Sequence, residues 1–269
     1  MRVFFLKFNS TLLFFIFYSI FSFWGKPGYS QIIPPGMGKA KTGSWATLGL
    51  SQNFGTKDRK NWNSVTYFGF GRKSNPDGKG PFYKPSIFIL TQEFKNRFRR
   101  NWEYNLALLY ARQNEYIDSF PFNKKYPSFK QEFRVYGRIS YLLQLNRLRI
   151  TPTFRQEVRK FYTPGFDQPG EDWQLRSRFR LQFSINLDGG NIHRIISTSE
   201  QLFSTSRNSK THKWSDFEYK DSRFALYYSF SPKKTPITLN IGYMYNLVGR
   251  KDPFGANIFA FDFMLRNPF

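Results

Sequence analysis

The chain has no cysteine among its 269 residues, which excludes disulfides and thiolate metal sites. It has only two histidines, His193 and His212, so little is left for metal ligation or acid–base chemistry. Acidic residues are scarce, 18 against 41 Lys and Arg, and the net charge is +23. After Ser30 no run of 18 apolar residues occurs, which argues against membrane-spanning helices. Glycine-rich phosphate loops and metal-ligand spacings are also missing. His193 and Ser197 fall on one face of a strand, but ~13 Å apart along it. His212 falls in a loop. The paired acids Glu171–Asp172 and Asp216–Glu218 fall at loop–strand edges and read as solvated. The expectation is a non-enzyme with no catalytic residue, no metal and no cofactor.

What the chain does have is aromatic residues. They make up 20% of it, with 33 Phe and 16 Tyr, while mean hydropathy is −0.54. So much Phe in a polar average requires apolar and polar residues to be finely interleaved. The one sustained apolar stretch, "TLLFFIFYSIFSFW" (11–24), follows Arg2 and Lys7 and precedes "GYS" (28–30). It is shorter than the ~20 residues of a spanning helix and reads as the core of a signal peptide, residues 1–30, cleaved after Ser30. Arg2, Lys7 and Lys26 leave with it, lowering the charge from +23 to +20. No cysteine follows to carry a lipid anchor. Residues 31–43, rich in Pro and Gly, read as an irregular lead-in to a single domain, 44–269.

In that domain the alternation is sustained. In "DWQLRSRFRLQFSINL" (172–187), Trp173, Leu175, Phe179, Leu181, Phe183 and Ile185 share one face. Gln174, Arg176, Arg178, Arg180 and Gln182 share the other, and a helix would mix the two sets. The same pattern predicts strands near 44–54, 63–71, 85–95, 101–112, 129–143, 148–162, 172–187, 192–204, 217–230, 236–248 and 256–269. Short links such as "LNR" (145–147) and "DGGN" (188–191) alternate with long ones such as 113–128 and 205–216, as in an up-and-down meander. Strands of up to 16 residues exceed the ~5–6 usual in sandwiches. Aromatic residues near the strand ends (Trp102, Tyr104, Tyr141, Tyr162, Trp173, Tyr227 or Tyr228, Tyr243, Tyr245) suit membrane-interface girdles. The predicted fold is all-β: a transmembrane up-and-down antiparallel barrel following the signal peptide. Eleven strands are read directly. Because bacterial single-chain barrels have even numbers, about 12 are expected, with 10 as the alternative.

If the greasy faces meet lipid, the other faces line a lumen. Those faces carry Arg134 and Arg138, then Arg155 and Arg159, then Arg176, Arg178 and Arg180, with Arg223 on a later strand. Lumen acids are fewer: Glu132, Glu157 and Glu200, while Glu93, Lys95 and Arg97 take the same phase. Two readings stay open. Arg–Glu pairs fill a structural or assembly barrel, or surplus guanidiniums favour passage of a small anionic solute. Lysines in the loops (among them Lys79, Lys124, Lys125, Lys210 and Lys213) suit contact with lipopolysaccharide. The long loop 113–128 is a candidate docking segment. Nucleic acid is not an expected partner, because the aromatics form no compact stacking platform.

The ending, "NIFAFDFMLRNPF", places Phe259, Phe261, Phe263 and Leu265 on one face and Asp262 and Arg266 on the other. With the final Phe269 it resembles the C-terminal signature of Gram-negative outer-membrane proteins. That resemblance implies that Phe269, Leu265 and Phe263 are read by the barrel-assembly machinery. Asn267 and Pro268 depart from the pattern. The stretch from Trp45 onward also resembles a family of outer-membrane barrels defined only as a domain of unknown function. The segments "QEFRVYGRISYLL" (131–143), "LRITPTFRQEVRKFY" (148–162), "WQLRSRFRLQF" (173–183), "STSEQLF" (197–203) and "NIGYMYNL" (240–247) carry it. The resemblance implies a fold and a location in outer-membrane lipid, and brings no activity.

Overall fold

The computed structural model describes residues 34–54, 62–250 and 252–269. The predicted signal peptide, 1–30, and residues 55–61 lie outside them. Among the described residues there are twelve strands and no helix: β1 Thr42–Phe54, β2 Trp62–Lys73, β3 Lys84–Arg97, β4 Trp102–Tyr116, β5 Lys124–Tyr141, β6 Leu143–Leu145, β7 Leu148–Tyr162, β8 Glu171–Asn186, β9 His193–Asn208, β10 Glu218–Phe230, β11 Ile237–Val248 and β12 Phe254–Arg266. They form one sheet in meander order that closes on itself, β1 beside β12 and β5 beside β7. This is the all-β barrel that the alternation predicts.

β6 is three residues long and continues the line of β5 past Leu142, pairing with the same neighbour, β7. The barrel wall therefore has eleven staves. A meander reverses direction at each stave, so with an odd number the first and last staves run the same way. The closing pair β1–β12 is accordingly parallel, Thr42 opposite Asn257 through Ser51 opposite Arg266. Every other pair in the wall is antiparallel. A further consequence is that the chain enters the barrel at one end and leaves at the other. Thr42 lies at the end of the longer loops (74–83, 117–123, 163–170, 209–217), and Arg266 at the end of the short turns (98–101, 146–147, 187–192, 231–236). The loop predicted at 113–128 shrinks to 117–123, because β4 and β5 extend into it.

The outer face is an apolar belt. Leu48, Phe68, Leu108, Val135, Phe179, Leu226 and Ile241 are all exposed on it. Rings gather at both margins of the belt. Tyr104 touches both Trp62 and Phe98 at the short-turn end, and Trp102 touches Tyr141. Towards the other end Tyr110, Phe133, Tyr162 and Phe166 form a chain of ring contacts. Of the two tyrosines that the pattern left open, Tyr228 faces out and Tyr227 is fully buried inside.

The glycines of β1 and β2, which make this the least strand-like part of the sequence, are places where the wall is thinned. A Cβ on Gly69 would lie 2.4 Å from Trp45, whose ring lies across the inner wall there. A Cβ on Gly49 would meet Met264 at 2.5 Å. Glycine in these strands therefore marks close packing of a bulky neighbour.

Candidate functional site in the barrel lumen

The lumen has two unlike halves. On β5, β7 and β8 the period of two sends alternate residues inward, and these are the arginines. Register then places like charges directly opposite one another: Arg134 faces Arg159, and Arg138 faces Arg155, which in turn faces Arg178. Opposed like charges destabilise a sheet, so the acids between them hold the wall together. Glu132 takes a bidentate fork from Arg159 at 2.7 and 2.5 Å and a further bond from Arg134 at 2.6 Å. Glu157 lies within ion-pair distance of Arg134 (3.3 Å), Arg155 (2.7 Å) and Arg178 (2.9 Å). Glu200 meets Arg178 at 3.2 Å and Arg223 at 3.9 Å, and Arg223 also grips Asp221 with two bonds of 3.1 Å. A continuous chain of charge thus runs across five staves, β5 to β10.

A separate knot forms at Glu93 on β3. It accepts from Arg138 (2.5 Å), Asn105 (2.6 Å) and the Tyr136 hydroxyl (2.8 Å). The Arg155 guanidinium lies 3.4 Å above the Tyr136 ring, in cation–π contact. Eight arginines (134, 138, 155, 159, 176, 178, 180, 223) therefore face five acids (Glu93, Glu132, Glu157, Glu200, Asp221). Two of the eight, both on β8, have no acid within ion-pair distance among the described residues. Arg176 donates only to the side chain of Gln174, and its Nε has no partner. Arg180 has no hydrogen bond or ion pair among the described residues, and its Nε is buried.

The other half of the lumen is greasy. Trp45, Ile87, Ile89, Leu109, Tyr227, Met244 and Ile258 pack there as one core with Ile196 and Met37. Met37 comes from the lead-in segment, which turns back into the lumen at the long-loop end. The Pro34 carbonyl accepts from Arg223 (3.2 Å), and the Met37 carbonyl from Lys73 (2.9 Å) and Ser86 (3.4 Å).

All eight candidate arginines and the three candidate acids Glu132, Glu157 and Glu200 lie on the inner wall. The segment 34–40 and the apolar half are what sequence reasoning missed. Asp221, also absent from the sequence-based set, stands two residues before Arg223, so strand spacing alone puts both on one face.

One expectation needs correction. Asp172, read as solvated, is fully buried and held by Arg207 (2.6 and 3.1 Å) and Lys160 (3.0 Å), at the register shift between Glu171 and Trp173 where β8 begins. Arg97 keeps the lumen phase, opposite Glu103, but is exposed where β3 ends. Arg266 keeps the phase of Asp262, opposite the buried Ser51, and caps the carbonyls of Thr235 and Ile237, both at 3.0 Å. His193, for which no catalytic role is expected, bonds Tyr228 (2.5 Å) on the outer face.

The predicted assembly residues Phe263 and Leu265 point outward, half-buried, and Phe269 is exposed. Asn267 takes the left-handed conformation (φ 46°). Its N–H donates to Ser51 (2.6 Å), and its side-chain oxygen accepts from the Asn53 N–H (2.8 Å). Gln52 then bonds both the N–H and the carbonyl of Phe269 (3.2 and 2.8 Å). The last three residues therefore finish the parallel seam with side-chain bonds. At the short-turn end Asp188 accepts three backbone N–H groups, from Gly190, Ile192 and His193 (2.8–3.2 Å). These bonds, that of His193 foremost, hold its carboxyl below the usual 3.8.

Together these features define a class: a closed β-barrel with an apolar exterior and a filled, electropositive lumen. No protein-family model matches the chain, and no curated protein shows significant similarity to it. Among the described residues no group of three or more His, Cys, Asp or Glu is placed to hold a metal ion.

Proposed function

We propose that this chain is an integral outer-membrane barrel of a Gram-negative bacterium, exported through its signal peptide and closed at rest. Its function in this reading is structural or in assembly, without steady transport. One observation carries the closure. Every stave contributes an inward side chain that solvent does not reach: Trp45, Tyr67, Glu93, Asn105, Tyr136, Glu157, Arg178, Glu200, Arg223, Met244 and Ile258. Side chains fill small barrels, while 16–18 strands leave a water channel.

The membrane placement draws support from the apolar belt, from its aromatic margins and from a wall in which the strands pair all the way round, as a bilayer requires. The kinship suggested by the Arg-rich strand segments, and recognition of Phe269, Leu265 and Phe263 by the assembly machinery, belong to the same proposal. Lys124, Lys125, Lys210 and Lys213 stand exposed at the long-loop end, which suits contact with lipopolysaccharide on the outer surface.

A second reading, a narrow anion-favouring pore, draws on the surplus of arginine over acid. Planar-bilayer recording of the purified full chain separates the two. Closure predicts no steady current above that of the protein-free membrane. A sustained current that reverses on the anion side under a salt gradient would replace it with the pore.

A further inference from the structure

We infer that the lumen holds a binding site for a small, multiply charged oxyanion of the phosphate class, centred on Arg180 with Arg138 and Arg155. The inference deepens the closed-lumen reading and rests on it, since an uncompensated charge is costly only where bulk water is excluded.

The first observation is the missing partner. Arg138 pairs with Glu93 (2.5 Å), and Arg155 with Glu157 (2.7 Å), which it shares with Arg134 and Arg178. Arg180 makes no ion pair among the described residues; both of those guanidiniums act on it, as do the carboxylates of Glu200 and Glu93. A buried charge is expected to be paired or to bind something that pairs it.

The second observation is the set of free donors. The buried Nε groups of both Arg138 and Arg180 lack hydrogen-bond partners. A guanidinium offers five N–H groups in a fixed fork suited to oxyanions. Several acceptor oxygens on one ligand satisfy several such donors, which a single chloride does not.

The third is room. Arg155 and Arg180 keep a partial exposure that the neighbouring Glu157 and Arg178 lack, so space for a small ligand remains beside them. Thr153, directly opposite Arg180, and Ser140, bonded to Thr153 at 3.0 Å, add hydroxyls to the wall beside it. Glu200, opposite Arg180 on the other side, is already taken by Arg178 and Arg223. The charge that Arg180 needs must therefore come from outside the chain.

The test uses the full chain purified in detergent, titrated with inorganic phosphate against potassium chloride at equal ionic strength. Calorimetry reads binding, and thermal unfolding reads stability. Saturable phosphate binding is expected, with a rise in unfolding temperature that chloride does not reproduce. Arg180→Gln should weaken phosphate binding at least tenfold and, without phosphate, should unfold at a higher temperature than the native chain, because an unpaired charge has gone. Arg180→Lys keeps the charge but not the fork and should bind with intermediate strength; it also serves if Arg180→Gln fails to fold. Lys210→Gln, on a loop, should change neither quantity. Equal effects of phosphate and chloride, or native binding by Arg180→Gln and Arg180→Lys, would overturn the site. Bilayer current tests closure separately: a conducting barrel that still binds phosphate through Arg180 sinks the closed reading and keeps the site.

Discussion

At the scale of single residues, Glu157 is the most exposed to mutation in its consequences. Three guanidiniums share its carboxylate, which is fully buried. Replacing both partners of a buried pair by apolar groups is often tolerated, but removing one leaves the others uncompensated, at about 3–5 kcal/mol. Glu157→Gln is therefore expected to destabilise the barrel by that order, read as a lower midpoint in urea unfolding. The loss should exceed that of Glu218→Gln, whose carboxylate sits in an exposed pair with Lys220. An equal effect of the two would mean that the network contributes nothing beyond solvated charge.

Asp188 gives a residue-scale prediction in pH. Its folded value lies below its unfolded one, because three backbone N–H groups bond the ionised form. A depressed carboxylate adds stability above its unfolded value and loses it as pH falls through the lowered folded value. The gap in unfolding temperature between the native chain and Asp188→Ala should be constant from neutral pH down to about 4 and then shrink with further acid. A gap that widened in acid would contradict this.

Among the elements, the last strand shows both how far sequence reads and where it stops. Its alternation announces which side faces out, because Phe259, Phe261, Phe263 and Leu265 are all large and apolar. Asn267 and Pro268 are opaque in sequence, because their role is fixed by β1, more than 200 residues away. Asn267 replaces a backbone bond at the seam, and the left-handed turn that requires it is one that asparagine tolerates well. The arginine strands were legible for the same reason as the Phe row: polar and apolar residues alternate without interruption over sixteen positions. The greasy half of the lumen was not, because on β1–β3 and β10–β12 both faces carry apolar residues and the period of two loses its contrast. The lead-in 34–40 was hidden differently. Pro and Gly announce irregular chain, and only the cavity it fills tells where it goes.

Two substitutions divide the roles at this end. Asn267→Val removes the side-chain acceptor and opposes the left-handed backbone, so it should cost about 1–3 kcal/mol of stability while leaving insertion intact. Phe269→Ser should leave the unfolding midpoint nearly unchanged in detergent but reduce the folded fraction recovered from membranes of expressing cells. Comparison of heat-modifiable gel mobility in membranes and in refolded protein distinguishes the two effects. If Phe269→Ser inserts as the native chain does, the assembly reading of the terminus falls.

For the whole molecule the decisive feature is parity. Eleven staves force a parallel closure, and a parallel ladder is slightly weaker per residue than an antiparallel one. The side-chain bonds of Gln52 to Phe269 and of Asn267 to the Asn53 N–H across its end, and the Thr47–Asp262 bond of 2.7 Å inside it, compensate at this seam. Parity also puts the start of β1 at the long-loop end, which is why the segment before it can turn inward and fill that half of the lumen. Closure is directly testable because the chain has no cysteine of its own. In the parallel register Leu48 lies opposite Phe263, and both point outward. Leu48→Cys with Phe263→Cys brings two thiols to neighbouring staves, where Cα separation falls within the reach of a disulfide, below about 7 Å. Mild oxidation of the folded double variant should crosslink it nearly completely, seen as a shift in non-reducing gel mobility after denaturation. Leu48→Cys with Ile258→Cys, five residues away in register and on the inner face, should not crosslink. A wall closed instead by β2 against β12, with β1 displaced, has an even number of staves and would leave both pairs reduced.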